Sequence, residues 1–342
     1  MSDALLRVRD IVVEYPTNGK RGSVKAVSGV SFDVHRGETV GVVGESGCGK
    51  STLGRALMQL PPPTAGSVVL DDAELTTLSG ERLRQARPGL QMIFQDARSS
   101  LNPRRRVIDI VAEPLTTWGR GSKPERHAAA AAALDEVGLD PATARHRRAY
   151  QYSGGQSQRI CIARALVMKP QLLICDEPVS ALDVSVQAQV LNLLENVKRT
   201  HRLSMLFIAH DLAVVKNISD RVVVMYLGKV CEVVSAATLL DDARHHYTIG
   251  LVASIPSRTT EPGVLTDTAR IAGELPSSVS PPSGCRFRTR CPASQDLCRD
   301  VEPPLRDIGN GHLLACHFPR ESHDAATNGF VSVHVRAAHQ SR

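Results

Sequence analysis

Gly44-Glu45-Ser46-Gly47-Cys48-Gly49-Lys50-Ser51 has the Gly-x4-Gly-Lys-Ser spacing of a phosphate-binding loop. Glycines let successive backbone N–H groups curl around a phosphate, and a helix opening where the loop ends adds its dipole. The cradle is expected to run from Gly44 to Thr52, with Lys50 neutralising β and γ oxygens and Ser51 offering its hydroxyl to Mg2+. Cys48, at a helix N-terminus beside Lys50, is expected to have a lowered thiol pKa, so that its alkylation blocks nucleotide binding; an inert loop thiol is the alternative.

Two adjacent carboxylates, Asp176 and Glu177, supply the other half of such a site. Asp176 is expected to hold Mg2+, directly or through water, and Glu177 to take a proton from a water attacking the γ-phosphate. His210 could donate to the γ-phosphate, and the neutral amide of Gln95 could reach Mg2+ or the water. Ser153-Gly154-Gly155-Gln156 is a second anion-binding pattern, with Ser153 as N-cap of the helical run that follows.

Each of these groups needs an element to carry it. Short apolar runs before Gly44, Gln95, Glu177 and His210 read as buried strands, and Thr52 to Leu60 and Ile160 to Met168 read as helices. Strands alternating with helices give an α/β chain with a parallel sheet, its chemistry gathered at the carboxyl edge.

The ordered set of Gly44 to Ser51, Gln95, Ser153 to Gln156, Asp176-Glu177, Ser180-Ala-Leu-Asp183 and His210 resembles the ATP-binding cassette family. The segment Asp96 to Pro103, Glu113-Pro-Leu115, Tyr247 to Leu251 and Gly284 to Pro292 resemble the dipeptide and oligopeptide importer branch, the likeness running from about residue 5 to about residue 319. With 58 residues from Gln95 to Ser153, there is no room for the coiled-coil arms of chromosome-maintenance relatives.

The resemblance implies a P-loop NTPase (RecA-like) core with an antiparallel β-subdomain, a helical insertion subdomain and a small Cys-bearing C-terminal extension. It implies ATP hydrolysis in a head-to-tail cassette dimer, with Ser153, Gly154 and Gly155 acting on the partner's ATP and Tyr15 stacking on adenine or, alternatively, serving the core. Tyr152 and Ser157 depart from the usual signature, which would suit a heterodimer with two unequal sites. The implied partners are a second cassette, two integral-membrane permeases and, through the complex, an extracytoplasmic solute-binding protein. The expected place is the cytoplasmic face of the inner membrane, and the expected cargo is di- or oligopeptides. Nickel or another small solute is the alternative cargo, and a nucleotide-dependent redox switch the alternative class.

Of eight cysteines, Cys285, Cys291, Cys298 and Cys316 cluster near the C-terminus in the spacing C-x5-C-x6-C-x17-C. A reducing compartment disfavours disulfides, and the missing C-x2-C knuckle disfavours zinc. Four thiolates match a 4Fe-4S cluster, which the importer branch carries in some members; a metal-free tail is the remaining reading.

The 342 residues suggest about two domains. Expected divisions are 1–94, nucleotide-binding core and β-subdomain; 95–165, helical subdomain; 166–256, the rest of the core; 257–320, the extension; and 321–342, a disordered tail. No run of 18 apolar residues predicts a membrane span, and the charged N-terminus does not read as a signal peptide. The net charge of +6, with one Trp, five Tyr and six Phe, gives few platforms for stacking nucleic-acid bases, so no nucleic-acid partner is expected.

Overall fold

The computed structural model describes residues 4–17, 22–255, 271 and 273–321. Residues 256–270 and 272, which include the start of the expected extension, and the 322–342 portion of the expected disordered tail lie outside the described residues.

In chain order the strands are β1 (Ala4–Pro16), β2 (Ser23–His35), β3 (Thr39–Val43), β4 (Ala65–Leu70), β5 (Ala73–Glu74), β6 (Leu90–Ile93), β7 (Leu172–Asp176), β8 (Ser204–Ile208), β9 (Arg221–Tyr226), β10 (Lys229–Ser235), β11 (Arg306–Asp307) and β12 (Leu313–Leu314). The helices are α1 (Lys50–Leu57), α2 (Gly80–Ala86), α3 (Val107–Thr117), α4 (Lys123–Glu136), α5 (Pro141–Ala144), α6 (Gly154–Leu166), α7 (Val184–His201), α8 (Leu212–Ile218), α9 (Leu239–Asp242), α10 (His246–Ala253) and α11 (Asp296–Asp300).

Strands β3, β7 and β8 are buried at every position, as expected of parallel strands covered on both faces. They belong to a sheet ordered β11-β12-β10-β9-β3-β8-β7-β6, in which β9, β3, β8, β7 and β6 run parallel. Alternate side chains feed two cores. Leu172, Ile174, Leu206 and Ile208 join Leu53 and Leu57 of α1 and the antiparallel sheet β2-β1-β4-β5. Leu173, Cys175, Met205 and Phe207 join residues of α3, α4, α6 and α7. The chain is thus an α/β fold with an antiparallel β-subdomain and a helical subdomain, α3 to α5, inserted between β6 and α6.

Local chemistry sets the helix starts. Ser122 and Glu125 form a capping box at α4, and Asp140 caps α5 by accepting from the amides of Ala142 and Thr143. At α8, Asp211 accepts from Ala213 and Val214, so the residue after His210 turns the chain sharply.

The C-terminal extension is integrated with the core. β12 pairs with β10 through Glu232–Leu314 and Val233–Leu313. Beneath that pairing, the fully buried Glu232 receives the backbone N–H groups of Arg244 and His245, and its Oε1 lies 2.7 Å from His312 Nε2. His312 Nδ1 faces Asp242 at 3.3 Å. Burial alone would lower the His312 pKa, but the Glu232 and Asp242 carboxylates outweigh it and hold it above the usual value. At His245 burial outweighs the raising influence of Glu232 and pushes the pKa down to about 4.

Because the folded His312 pKa is raised, its contribution is complete below the unfolded value of about 6.5 and is lost as pH rises through the folded pKa. His312→Gln should therefore destabilise the chain by about 1–3 kcal/mol near pH 5.5 to 6, and by much less above the folded pKa. Chemical denaturation of both proteins across pH checks this, since the His245 effect is common to the two.

Candidate nucleotide site

The phosphate loop joins β3 to α1, and its shape depends on glycine. A Cβ on Gly44 would stand 2.1 Å from Met225 O, and one on Gly49 would stand 2.1 Å from Ala26 O. Gly49, at φ 103°, is the N-cap of α1. Inside the loop, the buried Lys50 donates from Nζ to Gly44 O at 2.7 Å and Glu45 O at 3.0 Å. Cys48 O accepts from Gly228 N, fixing the loop's far side to the β9–β10 turn.

Cys48 differs from its sequence expectation. The thiol is 1% exposed, and burial pushes its pKa up despite the lowering influence of Lys50, whose Nζ is 3.9 Å away. A desolvated thiol remains protonated and slow to react, so this is a packed loop residue.

Ser51 Oγ donates to Asp176 Oδ1 at 2.7 Å, joining the first turn of α1 to the end of β7. Asp176 is fully buried and its Oδ2 has no hydrogen-bond partner. Burial raises its pKa, against the lowering effect of the Ser51 hydroxyl and of nearby Arg55. A buried carboxylate oxygen without a donor, beside a hydroxyl and near an amide, is a hard oxygen set that fits Mg2+.

Glu177 adopts φ 47°, a left-handed conformation that is costly for a residue with a side chain and is characteristic of functional positions. Its Oε2 accepts from Gln95 Nε2 at 2.9 Å and lies 3.6 Å from His210 Nδ1. The ends of β6, β7 and β8 thus bring Gln95, Glu177 and His210 together. Tyr15, Ser46, Gly47, Gly49, Lys50, Ser51, Thr52, Gln95 and Glu177 line one cavity of about 300 Å3.

The signature residues lie elsewhere. Ser153 caps α6 in a capping box with Gln156, and Ser153, Gly154 and Gly155 line a separate cavity of about 380 Å3 with Asp96, Leu182 and Asp183. Gln95 borders both cavities. Tyr152, the signature departure, is buried.

Several contributors were not assigned a role from sequence. Ser278, in the extension, lines the first cavity, and its carbonyl accepts from Lys25 N. Tyr247 Oη accepts from Glu45 N at 2.8 Å, and Arg290 forms a bidentate pair with the Glu45 carboxylate at 2.8 and 3.0 Å. The sequence offered Tyr247 and Arg290 only within segments that follow a family pattern. No local spacing links positions so far apart.

The tail cysteines Cys285, Cys291, Cys298 and Cys316 were expected to ligate a cluster. Among the described residues no group of three or more His, Cys, Asp or Glu side chains could hold a metal ion. Burial pushes Cys291 up to about 11 and Cys316 up to about 12. A larger cavity, about 720 Å3, lies at the opposite edge of the sheet, lined in part by Lys169, Lys198, Arg199 and Arg202. Lys198, Arg199 and His201 occupy the last turn of α7, where cations complement the helix dipole.

Comparison with known proteins places these features in context. Residues 27–180 match the family model described as ABC transporter, and residues 231–298 match the C-terminal region of oligopeptide/dipeptide transporters. The chain is 45% identical over 322 residues to the Bacillus subtilis oligopeptide transport ATP-binding protein AppF, covering 92% of this chain and 98% of that one. It is 47% identical over 312 residues to a Brucella ovis protein provisionally named as a peptide import ATP-binding protein, covering 91% and 97%. Among solved structures it is similar to the ATP-binding cassette MJ0796 in a dimeric post-hydrolysis state with ADP and phosphate, at TM-score 0.61 and 28% identity, over 68% of this chain and 98% of that one.

The burial of Cys48 has a direct test. Iodoacetamide should modify it far more slowly in the native chain than in denaturant, by at least about tenfold, as followed by peptide mass spectrometry.

Proposed function

Because this chain belongs to the ABC transporter family, as an ATP-binding subunit of an oligopeptide/dipeptide importer, we propose that the cavity between the phosphate loop and the ends of β6, β7 and β8 is where it hydrolyses ATP. The observation that carries this assignment is the convergence of Lys50, Ser51, Gln95, Glu177 and the orphaned Asp176 Oδ2. No helix among the described residues is long and apolar enough to cross a membrane. A peripheral subunit on the cytoplasmic face, serving separate permeases and an extracytoplasmic binding protein, accords with that.

The loop amides and Lys50 hold the β- and γ-phosphates, and Tyr15 stacks on the adenine. Ser51, Gln95 and Asp176 would hold Mg2+, which supplies charge neutralisation to the phosphates when bound. Glu177 orients the attacking water and takes its proton. Gln95 fixes the Glu177 carboxylate, and His210, whose ring is more than half exposed, reaches toward the γ-phosphate.

The separation of Ser153–Gly155 from the phosphate loop of the same chain supports their acting on the ATP of a second cassette, in a head-to-tail dimer. Closure around ATP would then be transmitted to the permeases through Asp96–Pro103, which follows Gln95. The Tyr152 and Ser157 departures favour a heterodimer with unequal sites.

The 4Fe-4S reading of Cys285, Cys291, Cys298 and Cys316 is a separate proposal. It is supported by the four-thiol spacing and by the 2.8 Å hydrogen bond from Cys285 N to Cys298 O, which sets two of the four side by side. Stoichiometric iron and acid-labile sulfide in anaerobically purified protein would support it, and colourless, iron-free protein of normal stability would remove it.

Glu177→Gln should bind ATP with little change in Kd while kcat falls about 100-fold or more at this chain's phosphate-loop site. Near-normal hydrolysis at that site would overturn the assigned base. Uptake by a deletion strain of di- and oligopeptides, compared with nickel, separates the cargo readings.

A further inference from the structure

We infer that Arg290 is a positioning residue of the nucleotide site, through which the C-terminal extension sets ATP affinity by holding Glu45 of the phosphate loop. This rests on the nucleotide-site assignment above. The hydrolytic residues are Glu177 and His210; Arg290 acts on neither.

Glu45 is held from three directions. Its backbone N–H donates to Tyr247 Oη at 2.8 Å, its carbonyl accepts from Lys50 Nζ at 3.0 Å, and its two carboxylate oxygens accept from Arg290 at 2.8 and 3.0 Å. The same residue therefore receives both the phosphate-binding lysine and the extension. A shift of Glu45 moves a carbonyl that fixes the Lys50 ammonium.

Arg290 is itself fixed. Its side chain is 8% exposed, it donates to Tyr226 Oη at 3.3 Å, and its guanidinium lies 5.8 Å from the Tyr226 ring centroid. Phe287 packs edge-on to Tyr226, with centroids 5.2 Å apart, and lies 5.4 Å from Tyr247. Two residues that hold Glu45, Tyr247 and Arg290, are thus locked by one aromatic cluster to which the extension contributes Phe287. Upstream, Ser278 lines the nucleotide cavity and Leu275 reaches the loop near Gly47.

Charge gives the pair its purpose. An ATP phosphate chain bound beside Glu45 would be repelled by a bare carboxylate, and a bidentate guanidinium neutralises it while fixing its direction. Removing Arg290 leaves that negative charge uncovered. Lysine restores the charge without the planar fork.

The test is ATP binding to the full-length chain by fluorescent-nucleotide titration, with steady-state hydrolysis in parallel. Arg290→Ala should raise the ATP Kd and KM about tenfold while kcat changes less than about twofold, and Arg290→Lys should fall between it and the wild type. Adding Glu45→Gln to Arg290→Ala should recover most of the lost affinity, because the uncovered charge is gone; a role confined to packing the extension would give no such recovery. If Arg290→Ala does not fold, Arg290→Lys and a measurement on the wild-type chain decide: by reciprocity, saturating MgATP should slow hydrogen exchange in residues 284–298 severalfold.

An unchanged Kd in a folded Arg290→Ala protein, no recovery in the double variant, or exchange in 284–298 indifferent to MgATP would each overturn the inference. A wild-type chain that binds no ATP would instead overturn the nucleotide-site assignment itself.

Discussion

The hydrogen bond from Ser51 Oγ to Asp176 Oδ1 is the contact on which the site depends. It ties the first turn of α1, and with it the phosphate loop, to the end of β7, whose next residue is Glu177. Asp176 is fully buried, and the bond fixes the distance between the phosphate loop and the strand end that carries Glu177. The sheet supplies the remaining constraint: parallel pairing of β6, β7 and β8 sets Gln95, Glu177 and His210 at neighbouring strand ends.

Groups whose chemistry follows from short spacing were legible in the sequence. The loop from Gly44 to Ser51 reads as a strand–turn–helix because β-branched residues precede it and an apolar helix follows. The strands ending at Asp176 and Ile208 are apolar runs of the length a buried parallel strand needs. Ser153 as N-cap of α6 follows from its hydroxyl and the Gln three residues later.

What could not be read there depends on burial or on distant pairing. The charge neighbours of Cys48 were visible, but desolvation from packing was not, and it outweighs Lys50. The cysteine spacing showed four thiols close in sequence without showing whether their sulfur atoms face a common centre. The Glu45–Arg290 pair joins positions separated by 245 residues, and the buried Glu232–His312 contact joins positions 80 apart. In both cases nothing local marks the pairing, and only the docking of the extension brings the partners together.

That docking also decides what the sheet presents to other proteins. Without β12, the valine-rich β10 would leave its backbone donors and acceptors open along one side, a template for strand addition by any passing chain. With the extension in place, the boundary moves outward to β11, a two-residue strand of Arg306 and Asp307, both exposed and oppositely charged. So short and charged a margin gives a foreign strand little to pair with.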